Sequence, residues 1–144
     1  MQFDVSLELN ATAEIAAADA YANIRLFTVG LGTLSAVPLP ELQTVLQPWV
    51  RASSASVGLG QWEAFSAVGW HFARDLYDAR GRTVPIGVVA NNWGGTAIQC
   101  WMDTAARAEC GSEQDYDVTS AGVMSNAMFT PYFGGAFPVT GILW

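Results

Sequence analysis

Val84-Pro85-Ile86-Gly87-Val88-Val89-Ala90-Asn91-Asn92-Trp93-Gly94-Gly95-Thr96 decides how this chain is read. Residues 84–90 are an unbroken apolar run of strand length, which suits a strand covered on both faces, as in a parallel sheet. The run enters a loop with two adjacent glycines, and residues 97–106 then read as a helical segment. In open α/β sheets ligands bind at the carboxyl ends of strands, and a Gly-rich turn there lets backbone N–H groups face a substrate. A site built from backbone is one reading of Gly94 and Gly95. A tight strand-to-helix turn without a ligand is the other.

Upstream, Phe65, Val68, Phe72 and Leu76 recur at i, i+3, i+7 and i+11, the stripe of an amphipathic helix that Gly81 would stop. Residues 24–29 (Ile-Arg-Leu-Phe-Thr-Val) read as a strand, and residues 11–20 as an alanine-rich helix with Glu14 near its positive end. Residues 35–46, with Pro38 and Pro40, read as an irregular excursion, and residues 49–61 as a Ser- and Gly-rich loop. Strand, loop, helix and strand in this order fit a βαβ crossover. Downstream, residues 110–120 read as an acidic surface loop, residues 123–129 as a short helix, and residues 139–144 as the start of another buried strand.

Composition narrows the function. The chain has 144 residues, 51% hydrophobic and 13% charged, with a formal net charge of −7. That is at most one domain, able to bury a core and unlike a disordered chain. The negative balance argues against nucleic acid or an anionic membrane as partner. No apolar run approaches the ~20 residues of a membrane span. Asp4 and Glu8 stand where a signal peptide would carry its basic and apolar regions, so the chain starts without one. Gly30-Leu31-Gly32 lacks the third glycine of a dinucleotide fingerprint, and no cofactor is indicated.

Acid–base chemistry is hard to find. His71, the sole histidine, lies inside the amphipathic helix, and no cysteine or histidine cluster accompanies it to form a metal site. A structural role is the simpler reading. Ser54, Ser56 and Ser66 have no activating context, and Asp103, Asp115 and Asp117 read as surface acids. Trp93 and Trp101 flank the glycines; their rings could stack on a sugar or seal a core. Cys100 and Cys110 could form a local disulfide or remain free thiols. Asn10-Ala11-Thr12 matches the N-glycosylation acceptor pattern, with helix capping by Asn10 or Thr12 as the alternative.

Several blocks in order resemble the sialate O-acetylesterases of the SGNH hydrolase superfamily. Residues 84–101 are similar to a family pattern of PIGLI, two small polar residues, WGGT and a following Trp. Phe65-Ser66-Ala67-Val68-Gly69-Trp70 with Arg74-Asp75-Leu76-Tyr77-Asp78 resembles the helix before it. Asn126-Ala127-Met128 with Pro131 resembles the NAMIHP segment, and Asn10-Ala11-Thr12 and Ile24-Arg25-Leu26 fit the early region.

The resemblance implies a three-layer α/β/α sandwich with a mainly parallel, flavodoxin-like sheet, here incomplete, with residues 1–144 as one partial domain truncated at both ends. It implies an ester hydrolase that removes O-acetyl groups from sialic acids or related sugars, secreted or lysosomal in the parent family. The expected partner is an O-acetylated sugar or sialoglycan. Family chemistry pairs a nucleophilic serine with a histidine–aspartate base and an oxyanion hole. Gly94-Gly95-Thr96 fits the glycine block, which makes Gly94 the candidate oxyanion donor and Gly95 the second choice, with Trp93 and Thr96 as substrate-binding candidates.

The resemblance also places the family serine, in Gly-Gln-Ser-Asn-Met, two positions before Met1. Ile142-Leu143-Trp144 looks like the start of the WYQGE block, and the Asp-x-x-His block falls beyond it. His71 does not match that block. Cys100 departs from a small apolar family residue, whereas Cys110 fits a family cysteine. The expectation is therefore a chain inactive by itself. The alternatives are a truncated product kept as a glycan-binding or regulatory module, and an incomplete gene model.

Overall fold

The computed structural model describes residues 2–59, 65–110, 122–133 and 138–143. It falls into two compact units. One comprises residues up to Val29, Val45–Gly94 and Leu143; the other comprises Gly30–Thr44 and the described part of residues 95–142.

The first unit holds the sheet. A 3-10 turn over Val5–Leu7 leads to helix α1 (Ala11–Ala17), strand β1 (Ile24–Val29), strand β2 (Val45–Arg51), the short helix α2 (Ser54–Val57), helix α3 (Ala67–Ala79) and strand β3 (Ile86–Ala90). The sheet order is β2-β1-β3. β1 and β3 are parallel, with Ile24 opposite Ile86 and Thr28 opposite Ala90, so the expected βαβ crossover is present. β2 runs antiparallel to β1 and makes the three-stranded sheet mixed, where a mainly parallel one was expected.

β2 falls where the sequence reads as an irregular excursion (residues 35–46) and a loop (residues 49–61). Its pattern hides it: Pro48 interrupts the run and only Gln47 is buried, so neither alternation nor a continuous apolar run is visible. A proline lacking its N–H suits an edge strand, and β2 pairs on one side with β1. Gln47 replaces an apolar core residue by donating from its side-chain amide to the Ser56 carbonyl at 3.0 Å.

One sheet face packs on α3. Its core joins Val5, Ala18, Tyr21, Ile24, Leu26, Val57, Phe65, Trp70 and Tyr77, with Ile15, Ile86 and Val88 against it. On the other face Phe27 and Trp49 meet at 5.4 Å between ring centroids, and Trp49 and Val89 remain 40% and 37% exposed. β3 is thus not buried on both sides as its apolar run implied.

Helix α3 forms where expected but turns a different face inward. Val68 and Phe72 are 47% and 46% exposed, and the buried face is Ala67, Trp70, Ala73 and Tyr77. Two overlapping stripes share the helical period. The one with Trp70 and Tyr77 buries more aromatic area, and its alanines permit close approach to the sheet. Ser66 caps α3 by accepting the Gly69 N–H, and Ser53 and Ser56 form a reciprocal capping box on α2. These serines are therefore structural.

Two polar straps tie α3 to the preceding chain. The His71 ring and Glu8 lie 2.6 Å apart, and Glu14 accepts from Trp70 Nε1 at 2.7 Å and also from Arg74. In the second strap, Tyr21 donates to Asp78 at 2.9 Å and accepts from Arg82 at 2.9 Å, while the Arg82 guanidinium lies 4.6 Å from the Tyr21 ring centroid. Arg82 holds a left-handed φ of 60°, unusual for a residue with a Cβ, and these contacts offset that strain.

The hydrogen bond from Arg82 holds the Asp78 carboxyl below its ordinary value of 3.8. A depressed carboxylate contributes stability above the unfolded value, and this is lost as pH falls through the folded one. Denaturation followed from neutral to acidic pH is expected to show an acid loss that is smaller in Asp78→Asn. An unchanged acid profile in that variant would contradict the strap. Burial raises the Tyr21 phenol above 10.0, and the corresponding stability is lost as pH rises past that value.

The second unit contains a 3-10 turn (Ile98–Trp101), helix α4 (Thr104–Glu109), a π-helical turn (Ser125–Phe129) and helix α5 (Thr130–Phe133). The helix expected over residues 97–106 is broken in two, because Asp103 caps α4 by accepting the Ala106 N–H. Asn126 clamps the excursion after β1: its side-chain amide donates to the Ser35 carbonyl at 3.1 Å, and its own carbonyl accepts from the Leu39 N–H at 2.9 Å. Residues 138–143 carry no strand and are exposed, unlike the buried strand expected there. Residues 111–120, including Asp115 and Asp117, lie outside the described residues.

Candidate functional site

β3 delivers the chain to Asn91-Asn92-Trp93-Gly94 at its carboxyl end, and Gly94 and Gly95 differ in their surroundings. Gly95 has φ +77°, a left-handed conformation that side chains disfavour, with open space where a Cβ would stand. At Gly94 a Cβ would lie 2.7 Å from the Gln2 side-chain oxygen, the tip of a flexible side chain that can move aside. Both glycines are exposed.

The Gly94 N–H donates to Gln2 Oε1 at 2.5 Å. Gln2 is held in place by its neighbours. The Phe3 carbonyl accepts the Ala67 N–H at 2.8 Å, Asp4 forms an antiparallel bridge with Ser66, and Val5 is fully buried. The start of the chain is thereby pinned beside the N-terminus of α3 and the end of β3. A contact between residues so far apart in sequence is invisible to spacing arguments.

The other candidates fall as follows. Trp93 is half-buried at the end of β3. In the second unit the Thr96 hydroxyl accepts from Trp101 Nε1 at 2.9 Å, so these two residues brace the turn after the glycines. Cys100 is half-buried and Cys110 exposed, both as free thiols. Asn10 is exposed at the N-cap position of α1 but makes no side-chain capping bond, which removes the capping explanation for its presence. Among the described residues no group of three metal-ligating side chains converges, and no helix is long and apolar enough to cross a membrane.

The Gly94 N–H is thus a backbone donor in the loop after a parallel strand, the end of an open α/β sheet at which ligands bind. No family profile matches the chain. Among curated proteins it is 32% identical over 152 residues to a sialate O-acetylesterase of Pongo abelii, covering the whole of this chain and 28% of that protein. It is 37% identical over 111 residues to one of Rattus norvegicus, covering 77% of this chain and 20% of that protein. Among solved structures, a carbohydrate acetylesterase from Xanthomonas citri matches with a TM-score of 0.76 at 32% identity, over 98% of this chain and 28% of that one. The chain belongs to the sialate O-acetylesterase family and spans less than a third of the length of these relatives.

Proposed function

We propose that this chain is the part of a carbohydrate O-acetylesterase that supplies the glycine arm of the oxyanion hole, acting on O-acetylated sialic acids or related sugars. The observation that carries this reading is the collinear match of the whole chain to one contiguous segment of such enzymes in both sequence and fold. On this reading the sheet and helices are part of a three-layer SGNH-type sandwich, and the exposed Trp49, Val89, Val68 and Phe72 mark faces of that larger assembly. Gly94 donates its N–H to the acyl oxygen, with Gly95 as second choice. Trp93 and Thr96 border the sugar.

Hydrolysis also needs a nucleophile and a base. His71 is engaged with Glu8, and Ser53, Ser56 and Ser66 serve as helix caps. These 144 residues alone are therefore expected to release no acetate from an aryl acetate or an O-acetylated sialic acid beyond a Gly94→Trp control. Turnover above that control contradicts this assignment of roles.

The parent family's secreted or lysosomal setting gives Asn10 a use as a glycan acceptor. Its exposed, uncapped side chain supports that reading. Expression through a eukaryotic secretory pathway should yield a glycosidase-sensitive mass increment that disappears in Asn10→Gln. An increment that survives the substitution would exclude Asn10 as the acceptor.

A further inference from the structure

We propose that Gln2 is a built-in stand-in for the substrate's acyl oxygen, occupying the Gly94 N–H until a ligand carbonyl displaces it. This rests on the reading of Gly94 as the acyl-oxygen donor and adds a competitor for the same hydrogen bond.

The geometry carries it. Gln2 Oε1 lies 2.5 Å from the Gly94 nitrogen. A carboxamide oxygen and an ester or acid carbonyl oxygen are both acceptors on planar carbon, so a site shaped for one receives the other. The bond is not a chance contact of a loose terminus. The Phe3 carbonyl is bonded to the Ala67 N–H, Asp4 bridges Ser66 and Val5 is fully buried, so the backbone from which Gln2 extends is fixed. Gly94 itself is exposed, so an incoming oxygen can reach the N–H once the Gln2 side chain rotates away.

An internal acceptor competes with an external one by its net hydrogen-bond free energy, so removing it should tighten ligand binding about three- to tenfold. Gln2 is thus a positioning residue that sets affinity at the site. It performs no chemistry of its own.

The test is amide NMR on the 144-residue chain with acetate as the probe. In the native chain the Gly94 amide should be protected from exchange and should move only at high acetate. In Gln2→Ala it should lose its protection, and acetate should shift it with an apparent Kd about three- to tenfold lower. In Gln2→Glu a carboxylate keeps the bond and repels the anion, so protection should persist and acetate binding should weaken. If Gln2→Ala leaves the Gly94 amide unchanged, the stand-in role is overturned while Gly94 remains a candidate donor. If the amide is freed but acetate does not move it, the donor reading fails and the proposal fails with it.

Discussion

Trp70→Ala is expected to destabilise the first unit by about 3–5 kcal/mol, the range for truncating a large buried aromatic. Trp70 is fully buried at the centre of α3's inward face. Its ring meets Tyr21 edge-on, with centroids 5.7 Å apart at 85°, and its indole N–H donates to Glu14. The substitution removes apolar area, leaves a cavity under the sheet and takes a donor from a carboxylate shared with Arg74. Trp70→Phe keeps most of the ring volume and should lose closer to 1 kcal/mol beyond repacking, mainly the hydrogen bond. Urea denaturation followed by circular dichroism separates the two. Equal effects from both variants would mean that the indole N–H, and not the packed volume, holds the helix to the sheet.

Gly30→Ala should produce the second large loss, in the second unit. The Gly30 N–H donates to the Thr44 carbonyl at 2.9 Å, which closes the excursion between β1 and β2. A Cβ on Gly30 would lie 2.5 Å from both the carbonyl carbon and the Cβ of Thr44. Backbone cannot yield as a side-chain tip can, so the two ends of the excursion must separate, at a loss of about 1–3 kcal/mol or more. Amide exchange at Gly30 and Ser35 should quicken accordingly. Gly141→Ala, where a Cβ meets nothing within 4 Å, is the control and should stay within about 0.5 kcal/mol of the native chain. Unchanged exchange in Gly30→Ala would show that the excursion is not held at this point.

These two residues also show what could be read from sequence. The period of α3 was legible, and so were β1, β3 and their parallel crossover, because helical spacing and apolar runs of strand length mark the type of element even where its burial differs. Which stripe of α3 faces inward was not legible, since Val68–Phe72 and Trp70–Tyr77 share one period and the sheet chooses between them. The reason for Gly30, a backbone pressed against Thr44, was not legible, because it depends on chain that returns from elsewhere. β2 was missed because its buried position is a glutamine whose amide donates to the Ser56 carbonyl, and local pattern cannot anticipate such a partner.

The candidate site divides the same way. The turn after β3 was legible from its two glycines, and the resemblance of the surrounding blocks supplies the chemistry proposed for it. The occupant of the Gly94 N–H was not legible, because Gln2 reaches it only through the pinning of Phe3 and Asp4 beside α3. Asn126, read as part of a family block, proves to be the clamp on residues 35–39.

The most direct test of the central claim, that the Gly94 N–H receives the acyl oxygen of an acetylated sugar, compares two ligands on the same chain. An O-acetylated sialic acid and its deacetylated form are titrated into the 144-residue chain while the Gly94 and Gly95 amides and the Trp93 indole are followed by NMR. The account predicts a saturable shift at Gly94 with the acetylated sugar, with Trp93 moving alongside and Gly95 moving less, and none at Gly94 with the deacetylated one. Equal responses to both sugars, or a Gly94 amide that neither ligand moves, would contradict it.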